Sequence, residues 1–394
     1  MTRPARPEVG FVIQRYGPGI TGGSESLARA VAERLGADYR ITVFTTCARD
    51  YVTWRNEWPA GEEEIAGVRV RRFPVDEERD LEAFNRRSEE LYGRARTRDE
   101  ELAWLRQQGP YAPRLVEALK AEAARLHAVV FFTYLYYPTY GGLAAAPAHS
   151  VLVPTTHDEP PLRFAIYDEV FARPRAFAFL TPAEEALVRS RFDLGGRPAA
   201  VAGMGVDVPP APDQAAFRAR HGLSGPFALY AGRIDAGKGC AEMVAHYARY
   251  RGRGGRADLV LIGTLAMGLP PVPGLRYLGY VSEEEKQAAL ATATAVVCPS
   301  PYESLSIALL EAFALGTPGL ANAASAVLKE HCLRSNGGLF YADGDEFVEA
   351  LDRLVHDQGL RRALGEAGRR YLEAGFRWER VLERYRSLIE AAAG

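Results

Sequence analysis

The sequence predicts an α/β protein built from two doubly wound domains in tandem, and three observations carry that prediction. Short β-branched runs alternate with helical patterns along most of the chain, as expected for parallel sheets covered by helices. The 394 residues are too many for one ordinary core and suit two domains. Near Gly205–Arg218 the alternation breaks at a proline cluster, VDVPPAPDQAAFR, before a fresh helix and strand begin.

In the first half the clearest strands are Gly10–Gln14, Ile41–Thr46, Ala128–Thr133, Ser150–Thr155 and Ala176–Leu180. In the second half they are Phe227–Ala231, Leu259–Ile262, Arg276–Leu278, Ala295–Cys298 and Gly319–Ala321. Between Asp76 and Leu126 the strands give way to a polar, Arg/Glu-rich helical stretch that reads as an insertion. The expected division is therefore 1–205 for the first domain and 206–375 for the second. Residues 376–394 follow, with a helix over Trp378–Ala392.

Composition narrows the function classes. Apolar residues make up 47% and charged ones 25%, the profile of a soluble globular protein. A formal net charge of −2 gives no general electrostatic reason to bind nucleic acid or an anionic membrane. The start, MTRPARPEV, is polar, and the apolar run Val9–Ile13 is far too short for a signal sequence or a membrane span. A cytoplasmic protein is expected. The four cysteines, Cys47, Cys240, Cys298 and Cys332, are scattered without metal-ligand spacing and read as reduced structural thiols.

Three strand–loop–helix segments hold the chemistry. The first is Val12–Leu35, where Gly17, Gly19 and Gly22 match G-x-G-x-x-G and Gly23 adds a fourth glycine. Such a loop lets backbone N–H groups at a helix N-terminus approach an anion, and it equally suits a tight turn. A dinucleotide site also needs an acid at the end of the second strand, but that strand ends in Thr45-Thr46-Cys47. The second segment, Phe227–Tyr250, places Arg233 at a strand's C-terminal end and Lys238 at the start of a helix. Arg offers a planar fork of donors and Lys a mobile point charge, which together suit a diphosphate. An anion would also relieve the conflict between Lys238 and the helix dipole. Solvated loop cations are the plainer alternative.

The third segment, Ala295–Pro318, is the most specific. Its loop carries Glu303 and its apolar helix carries Glu311 among Ala308, Leu309, Leu310, Ala312, Phe313 and Leu315. A carboxylate in that company must face water or find donors, because an unpaired buried charge costs several kcal/mol. On one helix the two glutamates would stand about 12 Å and roughly 80° apart, so they fit two contacts along an extended ligand better than an acid/base dyad.

With these residues in view, the sequence resembles the family 4 glycosyltransferases of the GT-B fold over nearly its whole length. The resemblance rests on Glu303–x7–Glu311 within PSPYESLSIALLEAFALGTP, on Gly232-Arg233 with Lys238-Gly239, on Gly22-Gly23-Ser24-Glu25 and on Thr156-His157-Asp158. It implies two Rossmann-like domains facing across a cleft, with the last helix crossing back to the first. It implies that Arg233 and Lys238 hold the donor diphosphate and that Glu311 binds the ribose. Glu303 would contact the transferred sugar, helped by backbone N–H groups of Ser304, Leu305 and Ser306. The Gly22-Gly23 loop would approach the phosphates and His157 would sit beside the reacting carbon. The family's reaction retains anomeric configuration. Two departures stand out: Ser304-Leu305-Ser306 where many members carry Gly-Phe-Gly, and Asn322–His331 in place of a Gly-Gly-x-x-Glu turn.

The expectation is thus a metal-independent transferase taking a hexose or N-acetylhexosamine from a nucleotide sugar, with no cofactor. A UDP-sugar is the expected donor, and GDP-mannose the rival. Catalysis would be mainly electrostatic, at the leaving diphosphate. Asp343-Gly344-Asp345 resembles a metal-binding pair but lies where acids cap a helix. The competing readings are an epimerase-like sugar-nucleotide enzyme and a catalytically silent binding homologue. The acceptor, whether saccharide, lipid-linked or small molecule, would be set by Phe131–Tyr140 and the 76–126 insertion. There Arg86, Arg87, Arg94, Arg96 and Arg98 allow either weak peripheral membrane contact or an ordinary solvated face.

Overall fold

The computed structural model describes residues 6–20, 22–208 and 210–394. The chain divides into two compact units. The first runs to Met204 and takes in Leu382–Gly394; the second is Gly205–Val381.

The first unit carries strands β1 (Glu8–Val12), β2 (Arg40–Thr46), β3 (Gly61–Ile65), β4 (Val68–Phe73), β5 (Ala128–Phe132), β6 (Ser150–Val153), β7 (Ala176–Phe179) and β8 (Ala199–Val201). Its helices are α1 (Gly23–Leu35), α2 (Leu81–Leu91), α3 (Arg98–Gln108), α4 (Pro113–Glu122), α5 (Tyr137–Ala145), α6 (Ile166–Ala172) and α7 (Pro182–Arg191). The sheet order is β3-β4-β2-β1-β5-β6-β7-β8, parallel throughout except for β3 against β4. Central strands such as β5, AVVFF, are buried on both faces and read as unbroken apolar runs.

The β3–β4 hairpin escaped the sequence reading. GEEEI and VRVRRF look like a charged loop, but Ala66 and Gly67 both take positive φ, 49° and 78°, as a two-residue hairpin turn demands. Arg69 then reaches Glu62 across the ribbon at 2.8 Å, and Arg72 reaches Glu63 at 2.6 Å. The 76–126 stretch forms α2, α3 and α4. Thr97 and Glu100 make a reciprocal capping box that fixes the start of α3. Three of the arginines singled out there are paired: Arg94 with Glu100, Arg96 with Glu101 and Arg98 with Glu169.

The second unit carries β9 (Phe227–Ala231), β10 (Asp258–Ile262), β11 (Leu275–Tyr277), β12 (Ala295–Cys298), β13 (Gly319–Asn322) and β14 (Gly338–Tyr341). Its helices are α8 (Gln214–His221), α9 (Cys240–Gly252), α10 (Glu283–Thr292), α11 (Ile307–Leu315), α12 (Ala326–Ser335), α13 (Gly344–His356) and α14 (Gln358–Gly375). The all-parallel order β11-β10-β9-β12-β13-β14 is the 3-2-1-4-5-6 arrangement of a dinucleotide-binding sheet. Strand order reverses between β9 and β12, and in such sheets ligands bind beyond the carboxyl ends at that reversal.

Each unit has its own core. Val12, Phe44, Phe131, Leu152 and Phe177 belong to the first, and Leu259, Val297, Leu320, Phe347 and Leu351 to the second. The final helix, α15 (Trp378–Ala393), lies mostly in the first unit. It buries Tyr385, Leu388, Ile389 and Ala392 along one face, and Glu390 accepts from Tyr39 Oη at 2.7 Å. Among the described residues no helix is long and apolar enough to cross a membrane.

Candidate functional site

The second unit's site is assembled from two strand ends. After β9 come Gly232, Arg233 and a turn that closes on Gly239, and α9 starts only at Cys240. Lys238 therefore precedes the helix cap and does not open the helix, as the sequence reading had it. Gly239 has φ 72°, and a Cβ there would stand 2.3 Å from the carbonyl oxygen of Pro299. Only glycine lets the turn lie against the end of β12. That contact brings Lys238 Nζ to 2.8 Å from Glu303 Oε1, 65 positions further along the chain. Asp235 shapes the same turn, accepting from the backbone N–H of Lys238 at 2.8 Å and pairing with the Arg233 guanidinium.

The Pro299 carbonyl also accepts from Asn322 Nδ2 at 2.9 Å. Asn322 ends β13, and Ser325 caps α12, so the unusual 322–331 stretch is a strand end, a turn and a helix. From α12, His331 reaches back to the 303–306 loop. Its Nε2 lies 2.8 Å from the Leu305 carbonyl oxygen and its Nδ1 3.0 Å from Tyr371 Oη on α14. A carbonyl only accepts, so Nε2 carries the proton and Nδ1 accepts from the tyrosine. Burial lowers the His331 pKa to about 4.

Ser306 follows in a left-handed conformation, φ 66°, just before α11. This is the place where the resembled family often has glycine, and here a side chain occupies the strained geometry. Glu311, on α11, is not drawn into the Lys238–Glu303 pair. Its Oε1 lies 2.8 Å from Lys286 Nζ on α10. Burial pushes the Glu311 carboxyl above the usual range while Lys286 pulls it back.

Asp343 caps α13, accepting from the N–H groups of Asp345 and Glu346, and Asp345 is engaged by Arg249 and Arg253. Among the described residues no three His, Cys, Asp or Glu side chains gather as a metal-ligand set. All four cysteines are buried, and burial raises the thiol pKa of each, to about 12 at Cys298 and Cys332. None is a ready nucleophile.

In the first unit, Gly22 and Gly23 lead into α1. The absent Gly22 side chain makes room for Glu25, whose Oε2 would lie 2.1 Å from a Cβ there. Glu25 is buried and accepts from Gln14 at 3.0 Å, Arg15 at 2.7 Å and Ser24 at 2.9 Å. Gly23, by contrast, faces open space. A cavity of about 290 Å³ beside this loop is lined by Arg15, Gly19, Ile20, Gly22, Arg49 and neighbouring acids.

His157 follows β6, past Thr155 at φ 52°, a costly conformation for a β-branched residue. Its Nε2 lies 3.3 Å from Glu159 Oε2, and Glu159 Oε1 accepts from the fully buried Tyr134 Oη at 2.8 Å. Beneath the loop, the Glu184 carboxylate takes the N–H groups of Thr156 and Leu180, and burial pushes its pKa up to about 8. The sequence reading missed Glu159, Glu184, Lys286 and His331. Of these only Glu159, two residues from His157, carried a local signal.

Comparison with known proteins adds two kinds of finding. Over most of its length the chain superposes on sucrose-phosphate synthase from Thermosynechococcus elongatus, at 21% identity and a TM-score of 0.74, covering 98% of this chain and 100% of that one. It also superposes on HepE from Anabaena, in a structure holding UDP-glucose, at 14% identity and a TM-score of 0.67, covering 97% and 98%. With these likenesses and its two doubly wound sheets, the chain has the GT-B fold. Residues 213–371, the segment that holds Arg233, Lys238, Glu303 and Glu311, match the family model of the glycosyl transferases group 1. A mannosyltransferase of Mycolicibacterium hassiacum, the MMP alpha-(1->4)-mannosyltransferase, is 35% identical over 117 residues, 28% of each chain. Such matches span between 28% and 49% of the curated relatives.

Proposed function

We propose that this protein is a retaining glycosyltransferase that moves a sugar from a nucleotide donor to an acceptor hydroxyl without a metal ion. The Lys238–Glu303 pair carries the reading. It stands at the carboxyl ends of β9 and β12, at the reversal point of a nucleotide-binding sheet. It pairs a phosphate-binding cation with a carboxylate able to hold sugar hydroxyls, inside the segment that matches the family model.

In this reading the bond from the anomeric carbon to the diphosphate breaks, and its electron pair leaves on the phosphate oxygen. The acceptor oxygen bonds the carbon and gives its proton to the departing diphosphate or to solvent. Arg233 and Lys238 neutralise the charge that builds on the diphosphate, and Glu303 holds the sugar with the backbone at Ser304–Ser306. Glu311 takes the ribose hydroxyls. In the first unit, the Gly22-Gly23 loop serves the phosphates, and His157, held by Glu159, serves the transferred sugar. A UDP-sugar is the donor of choice, supported by the likeness to HepE, whose structure holds UDP-glucose. The acceptor remains a saccharide, lipid-linked or small-molecule hydroxyl.

The test is a thermal-shift panel of UDP, GDP, UDP-glucose, UDP-N-acetylglucosamine, GDP-mannose and NAD, with Mg²⁺ or with chelator. A nucleoside diphosphate at a hundred times its dissociation constant adds about 2.7 kcal/mol, readily seen as a shift. One base should stabilise equally with and without metal, and the shift should fall to about half or less in Glu311→Ala. Stabilisation by NAD alone or by nothing overturns the proposal. Donor turnover without any acceptor would replace it with an epimerase.

A further inference from the structure

Lys286 belongs to α10 and has no part in the proposed transfer step. Ser282 caps that helix and Glu283, Glu284 and Glu285 fill its first turn, favourable places for acids. Lys286 follows one position later on the side that meets α11. Its ammonium lies 2.8 Å from Glu311 Oε1 and 2.9 Å from Glu283 Oε1. The two acids differ in setting: Glu283 is 64% exposed and Glu311 only 22%. Burial works against the Lys286 cation, yet Glu311 and Glu283 together hold its pKa above the ordinary lysine value.

The Glu311 side of the arrangement is lopsided. Lys286 occupies Oε1, while Oε2 has no hydrogen-bond partner among the described residues. A half-buried carboxylate without a cation would be driven towards its neutral form, which can accept fewer hydroxyl donors. Lys286 works against that shift and holds the carboxyl by one oxygen, which leaves the other to accept. Charged acceptors make the stronger hydrogen bonds.

We propose that Lys286 is the positioning residue for ribose recognition: by clamping Glu311 through one oxygen, it presents the other to the sugar hydroxyls of a nucleoside diphosphate. The inference rests on the proposed role of Glu311 and goes beyond it by naming what makes Glu311 selective. Lys286 touches no ligand. Its effect appears as discrimination between ribose and deoxyribose, a quantity that general stability does not move.

Isothermal calorimetry on the full chain tests this, using UDP and GDP against their 2′-deoxy counterparts. The wild type should bind the ribose form of its preferred diphosphate about tenfold or more tightly than the deoxy form, the usual strength of a hydrogen bond to a charged group. Lys286→Met should bring that ratio to within about twofold of one, and Lys286→Arg should restore much of it. Lys286→Gln serves the same purpose if the methionine variant fails to melt cooperatively. If both neutral variants keep the wild-type ratio while Glu311→Gln loses it, the inference is wrong and the role of Glu311 stands. If the wild type binds a diphosphate without discrimination, Glu311 does not read the ribose and the inference falls with it. If the wild type binds neither diphosphate, the proposed function itself has failed.

Discussion

Gly239→Ala is the substitution that best separates backbone geometry from side-chain chemistry in this protein. Two penalties combine there. An L-residue at φ 72° pays about 1–2 kcal/mol for the left-handed conformation, less the fraction recovered from the stiffer unfolded chain. The new Cβ would also stand 2.3 Å from the Pro299 carbonyl oxygen, well inside the 3.0 Å that real Cβ atoms observe. Backbone cannot swing aside as a flexible side chain can, so a forced shift of the overpacking kind adds about 1–3 kcal/mol.

Gly222, in the same unit, is the control. It too is left-handed, φ 58°, but a Cβ there meets nothing closer than Arg276 Nη2 at 4.0 Å. Gly222→Ala should cost about 1 kcal/mol, and Gly239→Ala about 2–4 kcal/mol. Urea unfolding followed by fluorescence measures both. Calorimetry with the nucleoside diphosphate should show weaker binding only for Gly239→Ala, because pushing the turn off β12 parts Lys238 from Glu303. Equal stabilities for the two variants, with undiminished nucleotide binding in Gly239→Ala, would refute the argument.

Three further outcomes follow from the same site. Lys238→Ala should lose about 10²–10³ in turnover with the fold intact by circular dichroism, by analogy with deleting an oxyanion donor; wild-type rates would remove Lys238 from the mechanism. Ser306→Gly should raise stability by about 0.5–1 kcal/mol by relieving the left-handed serine, read as a higher urea midpoint. His331 should make the protein acid-sensitive. Its folded pKa of about 4 lies below the unfolded 6.5, so its contribution is complete above pH 6.5 and is lost as pH falls towards 4. That amounts to about 2 kcal/mol by pH 5, and the unfolding free energy of His331→Gln should lack this part of the slope.

Much of the architecture could be read from apolar runs and punctuation. The strands ending at Ala231 and Cys298 announce themselves, and so do the loops that carry Arg233, Lys238 and Glu303. What could not be read depends on contacts between segments. Gly239 is one of 38 glycines until Pro299 is seen against it. Lys286 sits in a Glu-Glu-Glu-Lys run that looks like any solvated helix start, and only the packing of α10 on α11 turns it towards Glu311. His331 resembles a surface histidine in NAASAVLKEH until α14 covers it. The β3–β4 ribbon was hidden because six of its eleven strand residues are charged, so the alternation that marks a half-buried strand survives only in Val68 and Val70.

The last helix gives the molecule a schedule. Leu382–Gly394 belongs to the first unit, and Tyr39 meets Glu390 across 351 positions of chain. During synthesis the first two hundred residues emerge long before that helix exists, so the core around Tyr385 and Ile389 stays open while the whole second unit is made. The second unit, Gly205–Val381, is continuous and can complete itself first. The half of the protein made first is therefore the half finished last, and its apolar seam is what a chaperone would meet in the interval.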